Sequence, residues 1–165
     1  MTQDRNPYTL QNLGDFVRLD ALCHQLLREF VVWLQEEQKL EPAQAGDMAH
    51  AADRYLRDFV VDIKETGPAD ADPTLVRQYL GNWYIIHTLE PTPEEIDHLA
   101  VSLLHLQRYL SARGILTPTA AAAAAEHLRE TRFYHQRLAE FWELTPDEIA
   151  GWRGVDDYRR GRSTG

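Results

Sequence analysis

TPEEIDHLAVSLLHLQRYLSARGIL, residues 92–116, is the stretch on which the fold turns. Thr92 is a natural N-cap, and Pro93 sits in the first turn, where its missing N–H costs nothing. Glu95 stands three residues after Thr92, the spacing of a capping box. Ile96, Leu99, Leu103, Leu106 and Leu110 then recur every three or four residues, which places them on one stripe of an α-helix. Ala100, Leu104 and Tyr109 widen that stripe, so the helix is expected to be central and touched by several neighbours. Gly114 supplies the left-handed residue that ends it.

The same grammar extends in both directions. Upstream, Phe16, Leu19, Cys23, Leu26, Leu27, Phe30, Trp33 and Leu34 follow helical spacing and predict a first helix over 14–38. Pro42 opens a second, predicted to run to 65, with an apolar face of Ala45, Met48, Ala52, Tyr55, Leu56, Phe59, Val60 and Ile63. Thr66, Gly67 and Pro68 are expected to end it, with glycine as C-cap. Asp72 is expected to cap a third, with Pro73 in its first turn; it turns Leu75, Val76, Tyr79, Leu80, Trp83 and Ile86 inward and ends near His87 or Leu89. Downstream, Thr117 and Pro118 start a fifth helix, predicted to continue unbroken to about Leu144. Its alanine run, Ala120–Ala125, has the highest helix propensity and allows close approach of a neighbour. Thr145, Pro146 and Glu148 repeat the capping-box signature for a short sixth helix ending at Gly151. Residues 30–45 and 106–121 echo each other as an apolar helix end, a turn and a Leu-x-Pro.

No stretch alternates with period two. The expectation is an all-α, single-domain bundle of five to six helices with short connections. Residues 1–150 form the helical domain, led by a polar segment at 1–12 and followed by a polar, arginine-containing tail at 151–165. One cysteine, Cys23, excludes an intrachain disulfide and a cysteine-based zinc knuckle. There is no apolar run long enough for a membrane span and no leader-like h-region, so the reading is cytoplasmic. The net charge is −9, and residues 1–116 carry −8 of it. Such a surface repels phosphate backbones on average.

Candidate chemistry is sparse. Cys23 and His24 are adjacent, so on a helix they diverge by about 100° and cannot form a dyad. No glycine-rich phosphate loop or nucleophile elbow is present. Asp47-x-x-His50 and Glu95-x-x-His98 place a carboxylate and an imidazole one turn apart on two helices, the element of a carboxylate–histidine metal centre. Glu36–Glu37, Asp70–Asp72, Glu94–Glu95 and Asp156–Asp157 sit where helix ends and loops usually carry charge. Arg153, Arg159, Arg160 and Arg162, interleaved with Trp152 and Tyr158, are the basic cluster that could meet phosphate or a partner. Trp83, Tyr84 and Trp142 are candidate exposed anchors for a protein contact, with a place in the core as the favoured alternative.

The succession of WLQEEQKLEP, DRYLRDFVVDI, LVRQYLGNWYI and the 92–116 stretch, with Trp33, Leu34, Tyr55, Leu56, Phe59, Tyr79, Leu80 and Leu110, resembles the SAM-like core-binding, N-terminal domain of tyrosine recombinases of the phage-integrase type. The resemblance spans residues 22–116. It implies helices that clamp DNA opposite a separate catalytic domain. The chain departs from that pattern in having no room for such a domain, and in being acidic where a clamp is basic. The function expected is a non-enzymatic binding or regulatory module that needs no cofactor and acts through protein contacts, with a homodimer as one arrangement. The alternatives are a DNA-binding accessory protein and a carboxylate–His metalloprotein.

Overall fold

Threonine and proline set where the helices begin. Thr92 Oγ1 accepts from the Glu95 amide at 3.1 Å, and Thr117 Oγ1 accepts from the Ala120 amide at 3.1 Å. Pro42, Pro93, Pro118 and Pro146 all occupy first-turn positions. Thr145 and Glu148 close their capping box through the Glu148 carboxylate, at 3.2 Å from the Thr145 amide and 2.8 Å from its hydroxyl. The box expected at Thr92 forms by half. Glu95 lies beside the Tyr84 phenol instead of returning a bond to the cap.

The computed structural model describes residues 6–152, in which the chain forms seven helices and no strand. Helix α1 is Phe16–Glu36, entered through a 3₁₀ turn at Leu13–Asp15. Helix α2 is Pro42–Asp53 and continues without a break as a π-helical segment, Arg54–Val61. Helix α3 is composite: Leu75–Gln78 is α-helical, Tyr79–Trp83 π-helical and Tyr84–His87 α-helical again. Helices α4, α5, α6 and α7 are Pro93–Ala112, Pro118–Leu128, Thr131–Trp142 and Pro146–Ile149. As the apolar stripe implies, α4 is the hub, packing against α1, α2, α3, α5 and α6. Ile96, Leu99, Leu103, Leu106 and Leu110 are all buried on it. The bundle is all-α, as expected.

The helix expected over 117–144 is two helices. The chain breaks at Glu130 (φ −80°, ψ 49°), and the Tyr134 hydroxyl donates to the His127 carbonyl at 2.6 Å across the break. Splitting a rod of that length lets α5 and α6 each pack against both α3 and α4. Ala121, Ala124 and Leu128 make the close face of α5. The echo between 30–45 and 106–121 has a structural counterpart. Leu40 N donates to Leu34 O at 3.1 Å, and Leu116 N to Leu110 O at 3.2 Å, closing α1 and α4 in the same way.

The second helix does not end on its glycine. Glu65, at φ 51°, takes the left-handed position, and Thr66 N reaches back to Val60 O at 3.2 Å. Gly67 has an ordinary φ of −84°. Its lack of a side chain serves a close crossing: a Cβ there would stand 2.1 Å from Tyr8 O and 2.8 Å from both Leu10 N and Thr9 Cα. The lead-in is therefore docked against the bundle. Asn6 Nδ2 donates to Ile115 O at 3.0 Å, Ala69 N to Tyr8 O at 3.1 Å, and Arg18 Nη2 to Thr9 O at 2.8 Å. Gly67→Ala is accordingly expected to undock residues 6–10. Amide hydrogen exchange at Ala69 should accelerate while protection within α4 is kept. Unchanged protection at Ala69 would contradict the crossing.

Candidate interaction surface

The two π-helical segments determine what the molecule shows to its surroundings. In each, amides bond five residues back: Asp62 N to Arg57 O at 3.0 Å, Lys64 N to Phe59 O at 2.9 Å, and Tyr84 N to Tyr79 O. Each extra residue per turn rotates everything after it by about 100° relative to an α-helical count. Two expected core residues are turned out as a result: Ile63 after the first segment and Ile86 after the second, at 53% and 36% exposure. The same rotation carries Tyr84, an expected exposed anchor, fully into the core. Its phenol pKa is raised by burial, reinforced by the Glu95 carboxylate.

Between the segments the rings of Tyr55 and Phe59 meet those of Tyr79 and Trp83. Ring centroids lie 5.3 Å apart for Tyr55–Tyr79, 5.4 Å for Phe59–Tyr79, 5.7 Å for Phe59–Trp83 and 5.5 Å for Tyr79–Trp83. Trp83 is half-buried at the rim of this cluster. The Arg54 guanidinium stands 5.6 Å from its ring, and His87 stacks on it at 4.5 Å. Arg54 also donates to Thr88 Oγ1 at 3.2 Å and His87 O at 3.4 Å, closing the end of α3. His87 Nδ1 donates to Trp83 O at 2.8 Å. Trp83 is thus an anchor of the fold rather than an exposed one.

Beyond this rim lies an apolar end. Helices α3 and α6 run side by side in the same direction, because Arg77 meets Phe133 at 4.3 Å and Arg137 Nε donates to Gly81 O at 2.9 Å. Ile86 and Trp142 each lie five residues further along. The Trp152 ring meets that of Phe141 at 5.5 Å, tilted by 51°, and its carbonyl accepts from Asn82 Nδ2 at 3.5 Å, tying the same ends together. Trp142 is 59% exposed and Leu89, in the turn after α3, is 94% exposed. Of the three expected anchors, Trp142 alone stands clear of the core.

The remaining candidates do not converge. Asp47, His50 and His98 are exposed and Glu95 is half-buried beside Tyr84. Among the described residues no three His, Cys, Asp or Glu side chains are grouped to hold a metal ion. Cys23 is completely buried with Leu19 and Val61, and burial pushes its thiol up to about 12, so it is no nucleophile at neutral pH. His24 points away to the Arg57 guanidinium at 2.7 Å, and Arg57 is in turn held by Asp53 and Asp20. Arg113 and Arg77 are likewise spent on Glu29 and Glu130. Arg153, Arg159, Arg160 and Arg162 lie outside the described residues. No described helix is long and apolar enough to cross a membrane. Family models, characterised proteins and solved structures yield no match to this chain.

Proposed function

We propose that the protein is a non-enzymatic module that engages a protein partner through the end of the bundle bearing Ile86, Leu89 and Trp142. The observation that carries this reading is the exposure of those three large apolar side chains where α3 and α6 finish together. A large aromatic side chain left in water is a natural contact residue, because it buries much area at little entropic cost. Glu90, Glu94, Glu140 and Glu143 flank the three in sequence, so the partner face is expected to be apolar with basic edges.

Site-specific photo-crosslinking in cells tests this. A benzophenone side chain at position 89 or 142 is expected to give one discrete protein adduct, either another protein or a second copy of this chain. The same group at exposed Glu126, on α5, is expected to give none. No discrete adduct from 89 or 142 would remove the reading. Duplex DNA is expected not to bind even at about 50 mM salt, where phosphate contacts are strongest. Salt-sensitive binding would replace the protein-contact reading with that of the DNA accessory. The metalloprotein alternative predicts stoichiometric metal in purified protein, which elemental analysis decides.

A further inference from the structure

The C-terminal ends of α1 and α4 enclose an open cleft of about 370 Å³. Glu29, Val32, Trp33, Glu36 and Glu37 are spaced by three and four residues, so one face of the last two turns of α1 forms its wall. The Trp33 and Tyr109 rings make its floor, 5.4 Å apart and inclined at 53°. One part of the cleft already holds a guanidinium. Arg113 pairs with Glu29 at 2.9 Å and stands 5.8 Å from the Tyr109 ring centroid. The adjoining part offers the same components: the half-buried Trp33 ring and the exposed carboxylates of Glu36 and Glu37, which form no ion pair among the described residues. It also lies at the C-terminus of a 21-residue helix, where the macrodipole favours a cation.

We propose that this part of the cleft is a second binding site, independent of the apolar end, that takes an arginine side chain from a segment of a partner protein. Arginine fits better than lysine because a flat guanidinium can lie against the indole while its fork grips a carboxylate at two points. Arg113 on Tyr109 and Glu29 is the internal example of that arrangement. The structure therefore combines a shaped cleft, an aromatic floor and uncompensated negative charge at one place.

The test is an NMR titration of ¹⁵N-labelled protein with the peptide acetyl-Gly-Arg-Gly-Arg-Gly-amide. Saturable shifts are expected at the Trp33 indole N–H and the Glu36 and Glu37 amides. The double substitution E36Q/E37Q is expected to weaken binding about tenfold. The pair D58N/E126Q, at exposed positions away from both surfaces, changes the net charge equally and is expected to leave the affinity within about twofold. The matching lysine peptide is expected to bind several-fold more weakly. Shifts spread over the surface without saturation would overturn the site. So would equal loss in both double variants, or equal affinity for the lysine peptide.

Discussion

Above about pH 10 the protein is expected to unfold over a narrow pH interval, driven by tyrosines that cannot ionise while buried. Tyr55, Tyr79, Tyr84 and Tyr109 are each at most 2% exposed. All four phenols have raised pKa values, in every case chiefly because burial penalises the phenolate; that of Tyr109 reaches about 12. In the unfolded chain these groups ionise near their ordinary value of about 10. The folded state therefore holds protons that the unfolded state has released. Its stability is fully present below pH 10 and falls as the pH rises toward the folded values. Each phenol contributes up to about 1.4 kcal/mol per pH unit, so four together approach about 5 kcal/mol per unit. A domain stable by about 5–15 kcal/mol does not survive much more than one or two such units. Phenolate absorbance and helical circular dichroism should change together. A smooth phenolate titration centred near pH 10, with the helices intact, would refute this. Tyr79→Phe isolates one contribution. Its hydroxyl is buried without a hydrogen-bond partner among the described residues, so removing it should leave stability at neutral pH unchanged or higher. The alkaline slope should become shallower by about a quarter.

What the sequence encodes locally it shows openly. Threonine caps, first-turn prolines and the five-residue stripe of α4 are interactions among near neighbours, and the helix starts follow from them. The departures come from interactions that no local pattern contains. A π-helical turn has no residue signature. The segments at 54–61 and 79–83 exist where four aromatic rings from two helices must meet, and one inserted residue is enough to turn Ile63 and Ile86 outward and Tyr84 inward. The break at Glu130 has neither glycine nor proline to mark it; a Tyr134–His127 hydrogen bond spans it. Gly67 reads as a cap because the strand of chain that crosses it is nearly 60 residues away in sequence, at Tyr8–Leu10. The interaction surfaces follow the same division. Trp142 is visible as an anchor at a helix end. The exposure of Ile86, and the cleft that joins Trp33 to Tyr109, arise from helix register and from the meeting of α1 with α4.

Leu103→Ala is expected to cost about 3–5 kcal/mol. Leu103 is completely buried at the midpoint of the five-residue stripe, in the middle of a 20-residue helix. The helix it sits on is packed by five others, so the walls of the resulting cavity are held from several directions at once. A site near a helix end can collapse by fraying; this one would have to move a central rod. That places the expected cost toward the upper part of the range for leucine truncations, where the unfilled cavity adds to the lost transfer free energy. For a chain of this size the loss corresponds to a fall in Tm of roughly 10–15 °C, measured by thermal unfolding. Val101, two residues earlier on the same helix, is 46% exposed and provides the contrast. Val101→Ala is expected to stay within about 0.5 kcal/mol of the parent. If Leu103→Ala lost less than about 1 kcal/mol, the core would be loose enough to refill the space, and α4 would not be the rigid axis of the bundle. A large loss at 103 beside a negligible one at 101 requires that this helix keep one fixed face toward the core, which is the property that also fixes where Trp33 and Tyr109 meet.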